Sequence, residues 1–284
     1  MPAKSGGPSV WLVTGCSTGI GREIALAALS RGHRVAVTAR DPARVEDIAA
    51  RHPGRGLALR LDVTRSEQVE SSVRETEAAF GRVDVLVNNA GYGYLAAVEE
   101  GEEAEVRELF ETNYFGVVAM IKAVLPGMRR RGSGRIINIS SMTGIVSNPG
   151  AVYYSSSKFA LESLSEGLSK ELEPFGIRVT SVKPGAFRTD WAGRSMKETR
   201  QPLAAYDDTV DARRAFIRSV DGTQAGDPRR AAEAVLMVSE LEDPPLHLLL
   251  GRDVYEAYRE KLDALQKSLE EWKAVSLDMD FRDE

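Results

Sequence analysis

Short apolar runs and longer amphipathic stretches take turns along this chain. A short apolar run closed by turn residues reads as a strand buried on both faces. Apolar residues three and four apart read as a helix packed against such strands. The first run is Val10-Trp11-Leu12-Val13, which ends in a Gly-rich turn. Ile20, Ile24, Ala27 and Ala28 then recur at helical spacing over residues 20–29. The same reading predicts strands over 34–39, 57–63, 83–87, 135–139 and 177–182, with 246–250 a candidate seventh. It predicts a helix opening at Asp41-Pro42, one running from a Ser66 cap to Phe80, and further helices over 102–128, 152–172, 227–241 and 254–272. Strand and helix alternate without a linker as far as Pro184, which is the pattern of βαβ units.

The fold class that follows is α/β: a doubly wound parallel sheet with helices on both faces, in one domain over 1–284. Its core is expected over 9–185. Residues 186–226 are polar, mixed and weakly periodic, and form a variable substrate-loop region. Residues 227–284 form a C-terminal helical extension whose tail, 276–284, is expected to be loose.

Composition narrows the function classes. The 284 residues, 43% hydrophobic and 28% charged, are those of a globular protein. A net charge of -5 argues against nucleic-acid binding, and Arg129-Arg130-Arg131 reads as a solvated helix end. The one cysteine, Cys16, permits no intrachain disulfide and fits a reducing, cytoplasmic location. Residues 1–7 lack the apolar run of a secretory signal, and no run of about 18 apolar residues is present to span a membrane. His33, His52 and His247 have no metal-ligand spacing, so no metal site is expected.

The first turn carries chemistry. Gly15, Gly19 and Gly21 stand between the first strand and the first helix, around Cys16, Ser17, Thr18 and Ile20. Glycine there permits a tight turn and a close approach of a pyrophosphate to the backbone, and the helix N-terminus turns free N–H groups toward the phosphates. A Gly-rich turn without a ligand is the plainer alternative. The second strand ends Val37-Thr38-Ala39-Arg40. An acid there would bond a ribose 2′-hydroxyl, whereas Arg40 favours a 2′-phosphate and so NADP(H), with NAD(H) possible; a surface arginine is the alternative.

A second constellation follows. Tyr154 and Lys158 are four residues apart on the helix 152–172 and share a face. An ammonium beside a phenol favours the phenolate, lowers its pKa and lets the pair exchange a proton with a carbonyl or alcohol oxygen. Tyr153 is turned away from Lys158. Ser141 ends the fifth strand, where ligands of doubly wound sheets bind, and its hydroxyl could hold a substrate oxygen. Ser140 should point the other way by strand alternation.

Taken together, these residues resemble the short-chain dehydrogenase/reductase family in its standard-length branch, whose fold is Rossmann-type. The resemblance spans about residues 9–190. It rests on Thr14-Gly15-x-x-x-Gly19-Ile20-Gly21, Asn88-Asn89-Ala90-Gly91, Asn113, Ser141, Tyr154-x-x-x-Lys158 and Pro184-Gly185. It implies a catalytic tetrad of Asn113, Ser141, Tyr154 and Lys158, with Asn113 holding a water in a proton relay and Lys158 also bonding the nicotinamide ribose. It further implies that Asp62 and neighbouring Val63 meet the adenine, that Asn89, Ala90 and Gly91 form the cofactor floor with Pro184 and Gly185, and that Thr189 touches the carboxamide.

Two positions depart from the family pattern. Thr18 stands where many NADP-preferring members carry a basic residue. Gly251-Arg252-Asp253 and a long helix replace the usual C-terminal segment, which favours a homodimer through 102–128 and 152–172 over a tetramer. The loop, Arg40 and the tail look more like hydroxysteroid and retinol dehydrogenase-like members.

The leading expectation is an oxidoreductase that moves hydride between nicotinamide and a lipophilic ketone or secondary alcohol. Trp191, Met196, Leu203, Tyr206 and Phe216 are candidates to line the substrate pocket, or else to pack a small helical subdomain. A non-catalytic NAD(P)-binding regulator should keep the Gly loop and lose the Tyr–Lys pair. A sugar-nucleotide epimerase or dehydratase should carry a larger C-terminal domain.

Overall fold

The computed structural model describes residues 7–191 and 193–281. In chain order its elements begin β1 (Val10–Val13), α1 (Gly19–Ser30), β2 (Arg34–Ala39), α2 (Glu46–Ala50), β3 (Gly56–Arg60), α3 (Ser66–Phe80) and β4 (Val85–Asn88). A short strand β5 (Gly93–Leu95) leads to α4 (Glu103–Phe110), α5 (Gly116–Arg131), β6 (Gly134–Ile139), α6 (Val152–Leu172) and β7 (Ile177–Pro184). The remainder holds β8 (Met196–Glu198), α7 (Ala212–Ser219), α8 (Pro228–Glu240), β9 (His247–Leu250), α9 (Arg252–Glu271) and α10 (Lys273–Leu277).

Seven strands form one parallel sheet in the order β3-β2-β1-β4-β6-β7-β9. The chain leaves β1 toward β2 and β3 and later returns to the other side at β4, so the crevice at the carboxyl ends of β1 and β4 is the topological switch point where such sheets take ligands. Side chains of each strand alternate between two apolar layers. Trp11 and Val13 pack with Ile24, Leu29, Val235 and Leu236 on the face covered by α1 and α8. Leu12 and Leu86 pack with Val73, Met120, Val124 and Leu161 on the face covered by α3, α5 and α6. Burial on both faces is why these strands read as unbroken apolar runs.

Several expectations change. The stretch 102–128 is not one helix: a π-helical turn, Glu111–Phe115, separates α4 from α5. The third strand is shorter than 57–63, because its chain turns at Asp62, whose carboxylate accepts from Thr64 N at 3.0 Å and Thr64 Oγ1 at 2.8 Å. Arg65, not Ser66, holds the N-cap position of α3, without a side-chain cap. At α8 the Asp227 carboxylate does accept from Arg229 N, at 2.8 Å.

The segment 186–226 is more ordered than its periodicity implied. It contributes β8, which pairs in parallel with β5 in a separate two-stranded sheet, and α7. Sequence reasoning missed both short strands, since three residues are too few to show a period. The tail continues as α10 to Leu277, and residues 282–284 lie outside the described residues. No described helix is long and apolar enough to cross a membrane.

Candidate active site

The glycine loop leaves β1 between two clamps. Asn89, just beyond β4, donates through Nδ2 to Thr14 O and Gly15 O, both at 2.9 Å, while the Thr14 hydroxyl accepts from Asn89 N and Ala90 N. Gly15 has φ of 71°, a conformation that costs other residues, and a Cβ there would lie 2.9 Å from Ala90 Cα. A Cβ at Gly21 would overlap the Asn89 amide and lie 2.7 Å from Gly15 O. Gly21 therefore serves loop packing and does not itself line the cavity in front of the loop. The N-terminus of α1 carries no side-chain cap at Thr18, and Gly19 and Ile20 of its first turn line the cavity, a setting in which uncapped helix N–H groups suit an anion.

One cavity of about 860 Å³ runs from this loop past the carboxyl ends of the strands to α6 and α7. Gly15, Ser17, Thr18, Gly19, Ile20, Arg40, Asp62 and Val63 line its nucleotide end. Asn89, Ala90, Gly91, Ser141, Tyr154, Lys158, Pro184, Gly185 and Thr189 line the remainder. Arg40 is exposed and extends from the buried end of β2 at Ala39. A strap from 186–226 crosses the opening: Arg194 Nη2 donates to Thr18 Oγ1 at 3.0 Å, and Thr189 packs over Gly19. The glycine turn, the uncapped helix and the continuous cavity fit a dinucleotide. Among the described residues no cluster of His, Cys, Asp or Glu could hold a metal ion.

Tyr154 and Lys158 sit on the inward face of α6, both about 5% exposed. The Lys158 ammonium donates to Ile139 O at 3.0 Å and lies 5.8 Å from the centre of the Tyr154 ring. Burial pulls the Lys158 pKa down to about 8, against the opposing pull of Glu162. Burial pushes the Tyr154 phenol up to about 12, and contacts with Ser141, Thr143 and Trp191 oppose it. The expectation that Lys158 lowers the phenol pKa is thus not met. Loss of water around the phenolate outweighs every nearby group, and the side chain is a neutral phenol at pH 7.

Ser141 lies at the end of β6, where its Oγ accepts from Thr143 N at 3.1 Å and Thr143 Oγ1 at 3.0 Å. Ser140 also reaches the cavity wall, but its Oγ is buried without a partner beside Gly144. Tyr153 points away, its hydroxyl donating to Val98 O at 2.6 Å.

Asn113 sits in the π turn and is fully buried. Its amide is spent locally: Oδ1 accepts from Tyr92 N, and Nδ2 donates to Tyr92 O and Ser157 Oγ. It does not line the cavity, although Asn113 Oδ1 and Lys158 Nζ flank the same point beside Gly91.

Of the apolar candidates, Trp191 and Phe216 line the cavity, with Trp191 5.4 Å from the Tyr154 ring centre. Met196 packs behind the wall with Leu95, Ala151 and Ile217, while Leu203 and Tyr206 lie elsewhere. Sequence reasoning missed Tyr92, Arg194 and Arg213, which line the cavity from segments with no motif of their own.

A nucleotide-shaped opening joined to a water-poor Tyr–Lys pair at the switch point of a parallel sheet defines the class: an oxidoreductase built on a dinucleotide-binding fold. The family model for short chain dehydrogenase matches residues 9–200. The chain is 39% identical over 269 residues to the oxidoreductase BOA17 of Botryotinia fuckeliana, covering 94% of this chain and 98% of that one. A short-chain dehydrogenase from Streptomyces avermitilis matches with a TM-score of 0.90 at 44% identity, over 96% of this chain and 100% of that one. An alcohol dehydrogenase from Thermococcus sibiricus, solved with 5-hydroxy-NADP, matches with a TM-score of 0.69 at 30% identity, over 85% and 95% of the two chains. The chain belongs to the short-chain dehydrogenase/reductase family.

Proposed function

We propose that this protein is an NADP(H)-favouring, NAD(H)-tolerant reductase or dehydrogenase acting on a lipophilic ketone or the matching secondary alcohol. When bound, the cofactor supplies or accepts hydride. The observation that carries this reading is the pairing of Tyr154 with Lys158 at the inner wall of the same cavity that the glycine loop opens. The neutral Tyr154 phenol donates its proton to a substrate carbonyl oxygen, and Ser141 holds that oxygen in place. Lys158, with a pKa near 8, is mostly an ammonium at neutral pH and stands 5.8 Å from the centre of the Tyr154 ring, where it orients the phenol. Asn113 fixes the Tyr92 backbone and the α4–α5 junction. In the proposed relay it reaches Lys158 through water.

Trp191, Tyr92 and Phe216 give the substrate end its apolar walls. The wider reading is of a cytoplasmic homodimer, in which the lone thiol of Cys16 is inert, buried and pushed up to about 12. The decisive experiment is Tyr154→Phe, which removes the exchangeable proton and keeps the ring. Turnover of the best ketone found by screening should fall by roughly 10²–10⁴-fold while NADPH binding, read by fluorescence, stays within about twofold. Near-full activity in the variant would overturn the mechanism.

A further inference from the structure

Helix α7 turns one face toward the cavity. Arg213, Phe216, Ile217 and Val220 recur at positions three and four apart, and all four line it. Three are apolar and one is a guanidinium. The three arginines of this segment are treated very differently. Arg214 is buried in ion pairs with Glu100 and Asp211, and Arg218 pairs with Glu198 at 2.9 Å. Arg213 makes no ion pair and no hydrogen bond among the described residues. Its Nε is buried without a partner, and its one polar contact is with the Phe216 ring, 5.2 Å away. Burial lowers its pKa, and no carboxylate opposes that shift.

Of the carboxylates that line the cavity, Glu108 pairs with Lys197, Asp190 with Arg194, and Asp62 accepts from Thr64; neither these nor Glu111 pairs with Arg213. A half-desolvated guanidinium without a counter-charge is costly, and guanidinium favours flat, bidentate anions. Its place also separates it from the nucleotide end. One helical turn after Arg213, Ile217 packs with Leu95 and Ala151, and Ala151 immediately precedes α6, the helix of Tyr154. The cofactor loop is faced instead by Thr189 and Arg194.

We propose that Arg213 recognises an anionic group, a carboxylate or phosphate, on an otherwise apolar carbonyl substrate. This rests on the reading of the cavity as a carbonyl-reducing site, and it names the substrate class: an oxo-acid or an acyl compound bearing an acidic end, not a neutral or amino ketone.

A binding measurement tests it without turnover. Octanoate, methyl octanoate and octyl phosphate are titrated calorimetrically into the full chain saturated with NADPH at pH 7.5. Wild type should bind at least one anion roughly ten- to a hundredfold more tightly than the ester, as a charge-assisted contact predicts. The tighter of the two anions identifies the group. Arg213→Met should bring anion and ester within about twofold of each other, and Arg213→Lys should restore part of the difference. Equal binding of anions and ester by wild type, no binding of any of the three, or a preference that survives in Arg213→Met would overturn the proposal. Tyr154→Phe should leave the preference intact, so that failure of the catalytic reading and failure of this one are separately visible.

Discussion

At the scale of single residues, the site is governed by water exclusion. Lys158 ordinarily holds its proton to 10.5, and burial brings that to about 8 in the folded chain. Between these values the unfolded chain binds more protons than the folded one, so this residue makes stability rise with pH across that window and contributes no slope below it. The difference in unfolding free energy between wild type and Lys158→Met should therefore increase from pH 8 to pH 10.5, approaching on the order of 3 kcal/mol for the full shift. Urea melts at pH 7.5, 9 and 10 measure it; a flat difference would mean the ammonium titrates as in water. Arg40 invites a second test. It makes no ion pair or side-chain hydrogen bond among the described residues and lines the nucleotide end beside Ala39, which offers no carboxylate to repel a 2′-phosphate. Arg40→Ala should weaken NADPH by roughly ten- to a hundredfold and leave NADH nearly unchanged, whereas Ala39→Asp should tilt kcat/KM toward NADH. Equal losses for both cofactors in Arg40→Ala would remove Arg40 as the phosphate reader.

Among the elements, α7 is anchored by a buried ion pair. Glu100, almost fully buried, accepts from Leu203 N and Ala97 N at 2.8 Å each and pairs with Arg214 of α7. The pair ties α7 to the turn Val98–Glu100 that follows β5. Arg214→Met leaves the carboxylate buried without its cation, a change that costs about 3–5 kcal/mol. Urea denaturation should show a loss of that size. In the surviving folded protein KM for substrate should rise more than the NADPH dissociation constant, because the glycine loop and β1 lie away from α7. A variant with unchanged stability would mean that α7 is held by Ile217 and its apolar neighbours. The π turn before α5 is the other decisive element. An extra residue in that turn brings Asn113 inward against Tyr92, where an uninterrupted helix would place the following residues on a different face.

The whole molecule leaves large apolar side chains exposed on two surfaces. Phe115 and Phe159 remain 51% and 42% exposed on the π turn and α6, the two stretches expected to pair subunits. Beyond Val254, α9 buries no residue, and Leu262, Leu265, Leu269 and Trp272 stand exposed along it. Large exposed apolar side chains grouped on two faces are the usual mark of association. The expected outcome of light scattering at micromolar concentration is a dimer that Phe159→Asp dissociates with cofactor binding retained. A monomeric wild type would overturn the dimer, and a dimer that survives Phe159→Asp would locate the contact away from α6.

The local pattern by itself determined the parallel α/β architecture, because strands buried on both faces must be apolar runs and their covering helices must be amphipathic. It also determined the glycine loop and the Tyr154–Lys158 pair, since a tight turn before a helix and a four-residue spacing are properties of consecutive residues. Only the tertiary structure decided what depends on packing between distant segments. The π turn, the pairing of β5 with β8, the strap from Arg194 to Thr18 and the unpaired state of Arg213 leave no periodic trace in the chain. The upward pull on the Tyr154 phenol belongs here too. Its sign was set by how much water the folded walls exclude, and that quantity exists only once α6, β6 and the segment bearing Trp191 have closed around the ring.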